Sequence, residues 1–281
     1  MHNKQKILES LIKGFIWFSA IGTVMILLAI MGYIVIKGIG FVNFEFLTST
    51  PKRMGAEGGI FPIIVGTFYF VTLTMAIATP IGVGAAIYLS EYTRDNLLTR
   101  TIRFTTELLA GVPSIIFGLF GYAFFVILLK EYTGGWSLIS GALTATCMIL
   151  PILIRASEEA LKTVPKSYRE GSFALGATKW QTVYKVVLPT AIPGILTGII
   201  LSIGRAVGET AALLLTLGGS LLLATSMYHG TRTLPMHLYM VAMETGNMDQ
   251  AFATGVVLLF VLLFINLGAG YIVKKIFVKN I

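Results

Sequence analysis

The sequence is poor in charge, in cysteine and in histidine. Only 12% of its 281 residues are Asp, Glu, Lys or Arg, against about 25% in soluble domains. That shortage excludes an ordinary water-soluble fold. A single cysteine, Cys147, excludes an intrachain disulfide and any CxxC metal site. The three histidines, His2, His229 and His237, lack the spacing of metal ligands, so no metal is expected. No GxxxxGK[ST] loop occurs, and the chain therefore has no phosphate loop of its own for nucleotide hydrolysis. Neither an HExxH pair nor a convergent nucleophile and base marks an enzyme, and no bound cofactor is expected. The net charge of +8 comes without any long basic run interleaved with aromatics, which argues against nucleic acid as a partner.

What the sequence has in abundance is apolar length, with 56% hydrophobic residues. A bilayer core about 30 Å thick needs a helix of about 20 apolar residues. Runs long enough fall at 14–36, 60–90, 104–129, 137–154, 187–217 and 251–273. The predicted fold class is an all-α membrane protein of about six transmembrane helices, forming one transmembrane domain over 1–281. The first run is too long for a signal-peptide core and lacks a small-x-small cleavage site, so it reads as a retained helix. The second run carries Pro62 and Pro80 and the fifth Pro189 and Pro193, which predicts tilts or kinks.

Orientation follows from the basic residues, because Lys and Arg accumulate on the cytoplasmic side. With the N-terminus inside, 15 of the 21 Lys and Arg fall in inside segments, 5 fall outside, and Arg205 lies within a helix. Both termini are expected in the cytoplasm, with the chain a multi-pass protein of the cytoplasmic (inner) membrane.

The largest inside segment, 155–186, is too polar to span and too regular for a linker. It reads as helix, turn, helix. Pro165 suits a first helical position, with Ser167 and Glu170 as an alternative capping box one turn later. Gly176 is a natural stop, and Thr178 with Gln181 caps the next helix. Tyr168, Phe173, Leu175, Trp180 and Tyr184 supply apolar surface that a protein partner would explain.

EGSFALGATKWQTVYKVVLP, from Glu170 to Pro189, resembles the EAA-type coupling motif of the transmembrane subunits of ABC importers. Glu170 holds the acidic position, Gly171 and Ser172 replace the two alanines, and Gly176, Leu188 and Pro189 match. LAGVPSIIFGLFG (109–121) and SIGRAVGETAALL (202–214) are similar to the phosphate-specific branch of that family. GGIFPIIVGTFYF (58–70) and AAIYLSEYTRD point to its PstA-type rather than its PstC-type subunit. The resemblance implies a type I ABC importer permease fold, with Glu170, Ala174, Gly176, Ala177 and Trp180 coupling to a separate cytoplasmic ATPase dimer of the PstB type. The further partners it implies are a paralogous PstC-type permease subunit, an extracytoplasmic phosphate-binding protein of the PstS type that docks on the outer face, and membrane lipid. Another oxyanion, molybdate or sulfate, is the alternative cargo. A passive channel or secondary transporter would leave the paired cytoplasmic helices without a purpose.

Arg205 and Glu209 stand four apart in an apolar run, where insertion of an ionised side chain costs about 2.5 to 3.5 kcal/mol. They are expected to share a helix face. Two readings stay open: a guanidinium fork offered to a permeating phosphate, tempered by Glu209, or a structural ion pair. Arg103 and Glu107 repeat the spacing near the cytoplasmic end of the third run and read as a surface pair, with Glu107 as an alternative gate residue. Pro113, with Gly111, Gly118 and Gly121, marks a possible kink, either lining a pathway or merely packed. Gly194 with Gly198, and Gly204 with Gly208, form GxxxG pairs that predict close helix packing.

Overall fold

The computed structural model describes residues 2–94 and 96–277, with the side chains of 9–94, 96–268, 270 and 271. His2 and the lysines at 4, 6, 274, 275 and 279 lie outside the described side chains. The chain opens with α1 (His2–Gly38) and a short α2 (Phe44–Thr48), followed by a hairpin of β1 (Pro51–Lys52) and β2 (Glu57–Gly58). Next come α3 (Phe61–Ile87), α4 (Leu97–Ala110), α5 (Ser114–Gly121), the single turn α6 (Lys130–Thr133) and α7 (Leu138–Lys162). A short helix pair follows, α8 (Lys166–Ala174) and α9 (Lys179–Thr182), and α10 (Leu188–Val207), α11 (Ala211–Thr216), α12 (Leu234–Met240) and α13 (Met248–Phe277) complete the chain. Turns of π-helix at Tyr88–Tyr92, Tyr122–Leu128, Val183–Val187 and Val241–Thr245 extend or join these helices.

Among the described residues, five helices are long and apolar enough to cross a membrane, and the bent pair Leu97–Ala110 and Ser114–Leu128 makes a sixth if it crosses as one. The run at 104–129 is not one straight span. Its two halves meet at 101°, because Pro113 has no N–H to donate and takes an extended ψ of 138°. The run at 137–154 continues as helix to Lys162, so α7 takes over the first eight residues of the segment read as loop. The run at 187–217 is shifted: a continuous helical stretch covers Lys179–Val207, breaks at 208–210 and resumes as α11. Pro62 falls at N2 of α3, where a missing N–H costs nothing, whereas Pro80 lies inside α3 and Pro189 and Pro193 lie within the continuous stretch, just after its π turn at Val183–Val187.

Helix α7 is the central post, packed against α3, α10, α5, α11 and α4. Phe70, Ile149, Leu153, Leu213, Leu217 and Met236 fill the main cluster around it. Small residues bring the helices together. A Cβ on Gly194 would stand 2.6 Å from the Ala160 Cβ, and one on Gly198 2.8 Å from the Ala156 Cβ, so this GxxxG pair does pack α10 on α7. The second pair does not: Gly204 has no neighbour within 4 Å and Gly208 meets only the Gly204 carbonyl. Helix α1 lies along α13 with the apolar window of its span entirely unburied within the chain. Its outward Phe15, Trp17 and Phe18 are what a lipid-facing helix presents.

Candidate functional site

Three charged regions lie in the segment of α8 and α9, at the α4–α7 contact and at the end of α10, and a fourth lies between α11 and α13. In the loop, Pro165 takes the N-cap of α8 rather than its first helical position, with φ −58° and ψ 141°. The helix starts at Lys166. Ser167 and Glu170 therefore both lie inside α8, and the capping box proposed for them does not form.

The stop at Gly176 follows the sequence closely. Its φ is +80°. The Ala177 N–H donates to the Ser172 carbonyl at 3.2 Å and the Gly176 N–H to the Phe173 carbonyl at 2.9 Å, the two bonds of a Schellman motif. No atom lies within 4 Å of a Cβ built on Gly176, so backbone conformation rather than space demands glycine there. The next helix begins with the Thr178–Gln181 capping box, in which Gln181 N–H donates to Thr178 Oγ1 and Thr178 N–H to Gln181 Oε1.

Ser172 and Thr182 hydroxyls, 2.8 Å apart, join α8 to α9. Tyr168, Phe173, Leu175, Trp180 and Tyr184 are all exposed, Leu175 at 90%, and the Trp180 and Tyr184 rings stack at 6.0 Å. Glu170 lines a polar cleft of about 410 Å³ with Glu91, Lys162, Lys166 and Arg169, while Ala174 is exposed and Ala177 half-buried. Arg169 carries an arrangement that local spacing did not reveal. It donates to both carboxylate oxygens of Glu91, at 2.6 and 3.2 Å, from 78 positions away.

At the α4–α7 contact, Arg103 and Glu107 do not form the surface pair their spacing predicts. Each crosses to α7 instead: Arg103 Nη2 lies 2.7 Å from Glu158 Oε1, and Arg155 Nη1 lies 2.5 Å from Glu107 Oε1. Lys162 adds contacts to Glu158 at 3.1 Å and Glu159 at 3.2 Å. These charges, with Leu89, Thr106 and Ile154, surround a cleft of about 160 Å³. Glu158 is buried, and burial rewards the cross-helix partners because an ionised carboxylate leaves water only when paired.

Arg205 and Glu209 meet as expected, at 3.3 Å. They do not share one helix, however, since α10 ends at Val207 and Glu209 lies in the break before α11. The Glu209 side chain is 2% exposed, and its Oε1 accepts the Ala212 N–H at 3.1 Å. Arg205 is different: its side chain is 45% exposed. Its Nη2 also approaches Met148 Sδ at 3.7 Å, and its Nε and Nη1 make no hydrogen bond among the described residues. The Gly208 N–H is already donated to the Gly204 carbonyl, so the break frees no glycine donor for a ligand there.

Arg232 and His237, in the segment between α11 and α13, are buried at 3% and 0% exposure, and sequence reasoning assigned neither a role. Arg232 Nε donates to the Gly219 carbonyl at 3.0 Å, and its Nη1 lies 3.5 Å from His237 Nδ1. Burial, reinforced by the Arg232 charge, pushes His237 down to about 3. Burial likewise lowers Arg232 from its usual value, against the opposing pull of Glu244. The His237 ring is therefore neutral near pH 7. It packs over Gly55, whose φ of +96° brings the hairpin backbone close.

Among the described residues no group of three His, Cys, Asp or Glu is placed to hold a metal. Comparison with known proteins agrees with the helical architecture. Residues 78–278 match the model of the binding-protein-dependent transport system inner membrane component family. A probable ABC transporter permease protein, YqgI of Bacillus subtilis, is 36% identical, with 98% of each chain covered. The phosphate transport system permease protein PstA of Yersinia pestis is 36% identical over 86% of this chain and 81% of its own. Among solved structures, a bacterial alginate ABC transporter in complex with an alginate-pentasaccharide-bound periplasmic protein superposes with a TM-score of 0.69. That match covers 93% of this chain and 95% of the other at 14% identity. The inward-facing MetNI methionine ABC transporter gives 0.57 over 77% and 94%, at 22% identity. The chain belongs to the binding-protein-dependent transport system inner membrane component family and is an integral membrane permease subunit of an ABC importer.

Proposed function

We propose that this permease conducts inorganic phosphate inward as the PstA-type subunit of its transporter, with Arg205 facing the passing anion. The observation that carries this reading is the state of Arg205. A guanidinium in an apolar helix is expensive in a bilayer and persists where it faces a bundle interior or an aqueous path. Here it is half-exposed, with Nε and Nη1 unspent. Such a fork suits a tetrahedral oxyanion better than a point charge does. Glu209, held by Arg205 and the Ala212 N–H, keeps the fork from binding the anion so tightly that it cannot leave. Relatives named as PstA phosphate permeases, 33 to 36% identical over most of the chain, favour phosphate over molybdate or sulfate. The alginate and methionine transporters that share the fold leave the cargo open.

In this reading the exposed aromatics around the Gly176 stop seat a PstB-type ATPase dimer that supplies all hydrolysis. A PstC-type paralogue completes the pathway, and a PstS-type binding protein delivers phosphate to the outer face. Both termini lie in the cytoplasm. The break at Pro113 acts as a hinge, and the Arg103–Glu158 and Arg155–Glu107 pairs close the inner end of the path. The test is uptake of labelled phosphate into vesicles carrying the whole transporter, with sulfate and molybdate in excess as competitors. ATP-dependent phosphate uptake that neither competitor suppresses is expected. Uptake of sulfate or molybdate in place of phosphate would overturn the assignment.

A further inference from the structure

The second span ends in a single π-helical turn, Tyr88–Tyr92. Cations from three separate elements hold that turn. Arg169 of α8 grips Glu91 with Nε and Nη2. Lys179 of α9 places its Nζ 5.2 Å from the centroid of the Tyr92 ring. Arg103 of α4 donates from Nη2 to the Leu89 carbonyl at 3.3 Å.

Arg169 is the tightest of the three. Besides its two bonds to Glu91, it donates to the Val164 carbonyl at 2.7 Å and the Leu161 carbonyl at 3.1 Å, at the end of α7. Four of the five N–H groups of the guanidinium are thereby used. Both partners are largely withdrawn from solvent, with side-chain exposures of 19% for Arg169 and 8% for Glu91. Helix α8, by contrast, buries no residue at all. Among the described residues, the side-chain hydrogen bonds from α8 to the ends of α3 and α7 all come from this one side chain. A bidentate fork fixes distance and orientation together, which a lysine does not. π-helical turns are rare and occur frequently at functional sites.

We propose that Arg169 is a positioning residue that transmits movement of the cytoplasmic loop into the second span. Displacement of α8 pulls on Glu91, shifts the turn Tyr88–Tyr92, and carries α3 with it. The Leu89 carbonyl passes the same shift to α4 through Arg103. The proposal rests on the reading that the loop seats an ATPase, and the test separates the two. The whole transporter is purified with its ATPase and reconstituted, and phosphate moved per ATP hydrolysed is measured for Arg169→Lys and for Arg169→Met combined with Glu91→Leu.

Both variants are expected to retain the ATPase and hydrolyse ATP, while phosphate moved per ATP falls about tenfold or more, an ordinary coupling magnitude. A wild-type ratio in either variant would overturn the relay. So would a loss confined to assembly, with the ratio per intact complex unchanged, because that is the mark of a static clamp. Gly176→Val serves as the control on the parent reading. If that variant keeps both the ATPase and full uptake, or if the wild-type chain holds no ATPase, the loop is not the docking site and the relay falls with it.

Discussion

Arg169 and Arg205 each meet a glutamate, yet one pair is closed and the other open. Around Arg169, two carboxylate oxygens and two carbonyls consume the guanidinium. Around Arg205, one nitrogen reaches Glu209 at 3.3 Å and the side chain is 45% exposed. In the function proposed above, the same two residue types serve two purposes and the environment decides which: the saturated fork holds protein to protein, and the unsaturated fork in an apolar span meets the passing anion.

The sharpest way to break this comparison is to remove the closed fork. Arg169→Met leaves the Glu91 carboxylate buried without its partner, and the expected loss of stability is about 3 to 5 kcal/mol. Thermal unfolding of the purified chain should show it. Combining Arg169→Met with Glu91→Leu should recover most of the loss, because two apolar side chains need no partner. A single variant as stable as the wild type would show that Arg169 does not hold Glu91 closed.

Arg232 supplies an intermediate case and a smaller effect. Its partner is a neutral histidine, His237, whose pKa lies at about 3 in the folded protein against about 6.5 when unfolded. Between these values the unfolded chain binds a proton that the folded chain does not, so stability falls as pH drops through that window. The slope for one proton is about 1.4 kcal/mol per pH unit, and above pH 6.5 the contribution is complete. His237→Gln should flatten the acid limb of a plot of stability against pH from 6.5 to 4. An unchanged limb would show that His237 does not titrate between the two states.

These contrasts also explain what was legible in the sequence. The apolar runs located the spans, since lipid demands long unbroken hydrophobic helices. The Gly176 stop and the Thr178–Gln181 box were legible because both are local, formed among residues a few positions apart. The Gly194 and Gly198 contact was legible as spacing, but the same spacing at Gly204 and Gly208 finds no packing partner among the described residues. Spacing alone cannot say whether a second surface is there. Arg103 and Glu107 misled for a related reason. Their i, i+4 spacing is real, but α7 offers Glu158 and Arg155 as better-placed partners. The Arg169–Glu91 pair bridges 78 positions and depends on where α3 ends. The burial of His237 comes from the hairpin and α12 folding over each other, which no local pattern records.

The most direct test of the open pair is phosphate uptake, at matched membrane abundance, by the transporter carrying Arg205→Met together with Glu209→Gln. If Arg205 and Glu209 were only a structural ion pair, removing both charges would leave no buried unpaired charge, and uptake would return close to the wild-type rate. If Arg205 meets the anion, the double variant assembles but stays inactive, as does Arg205→Met alone, and Arg205→Lys recovers only part of the rate because it keeps the charge and loses the fork. Assembly without uptake in the double variant is the predicted result, and wild-type uptake in that variant would contradict it.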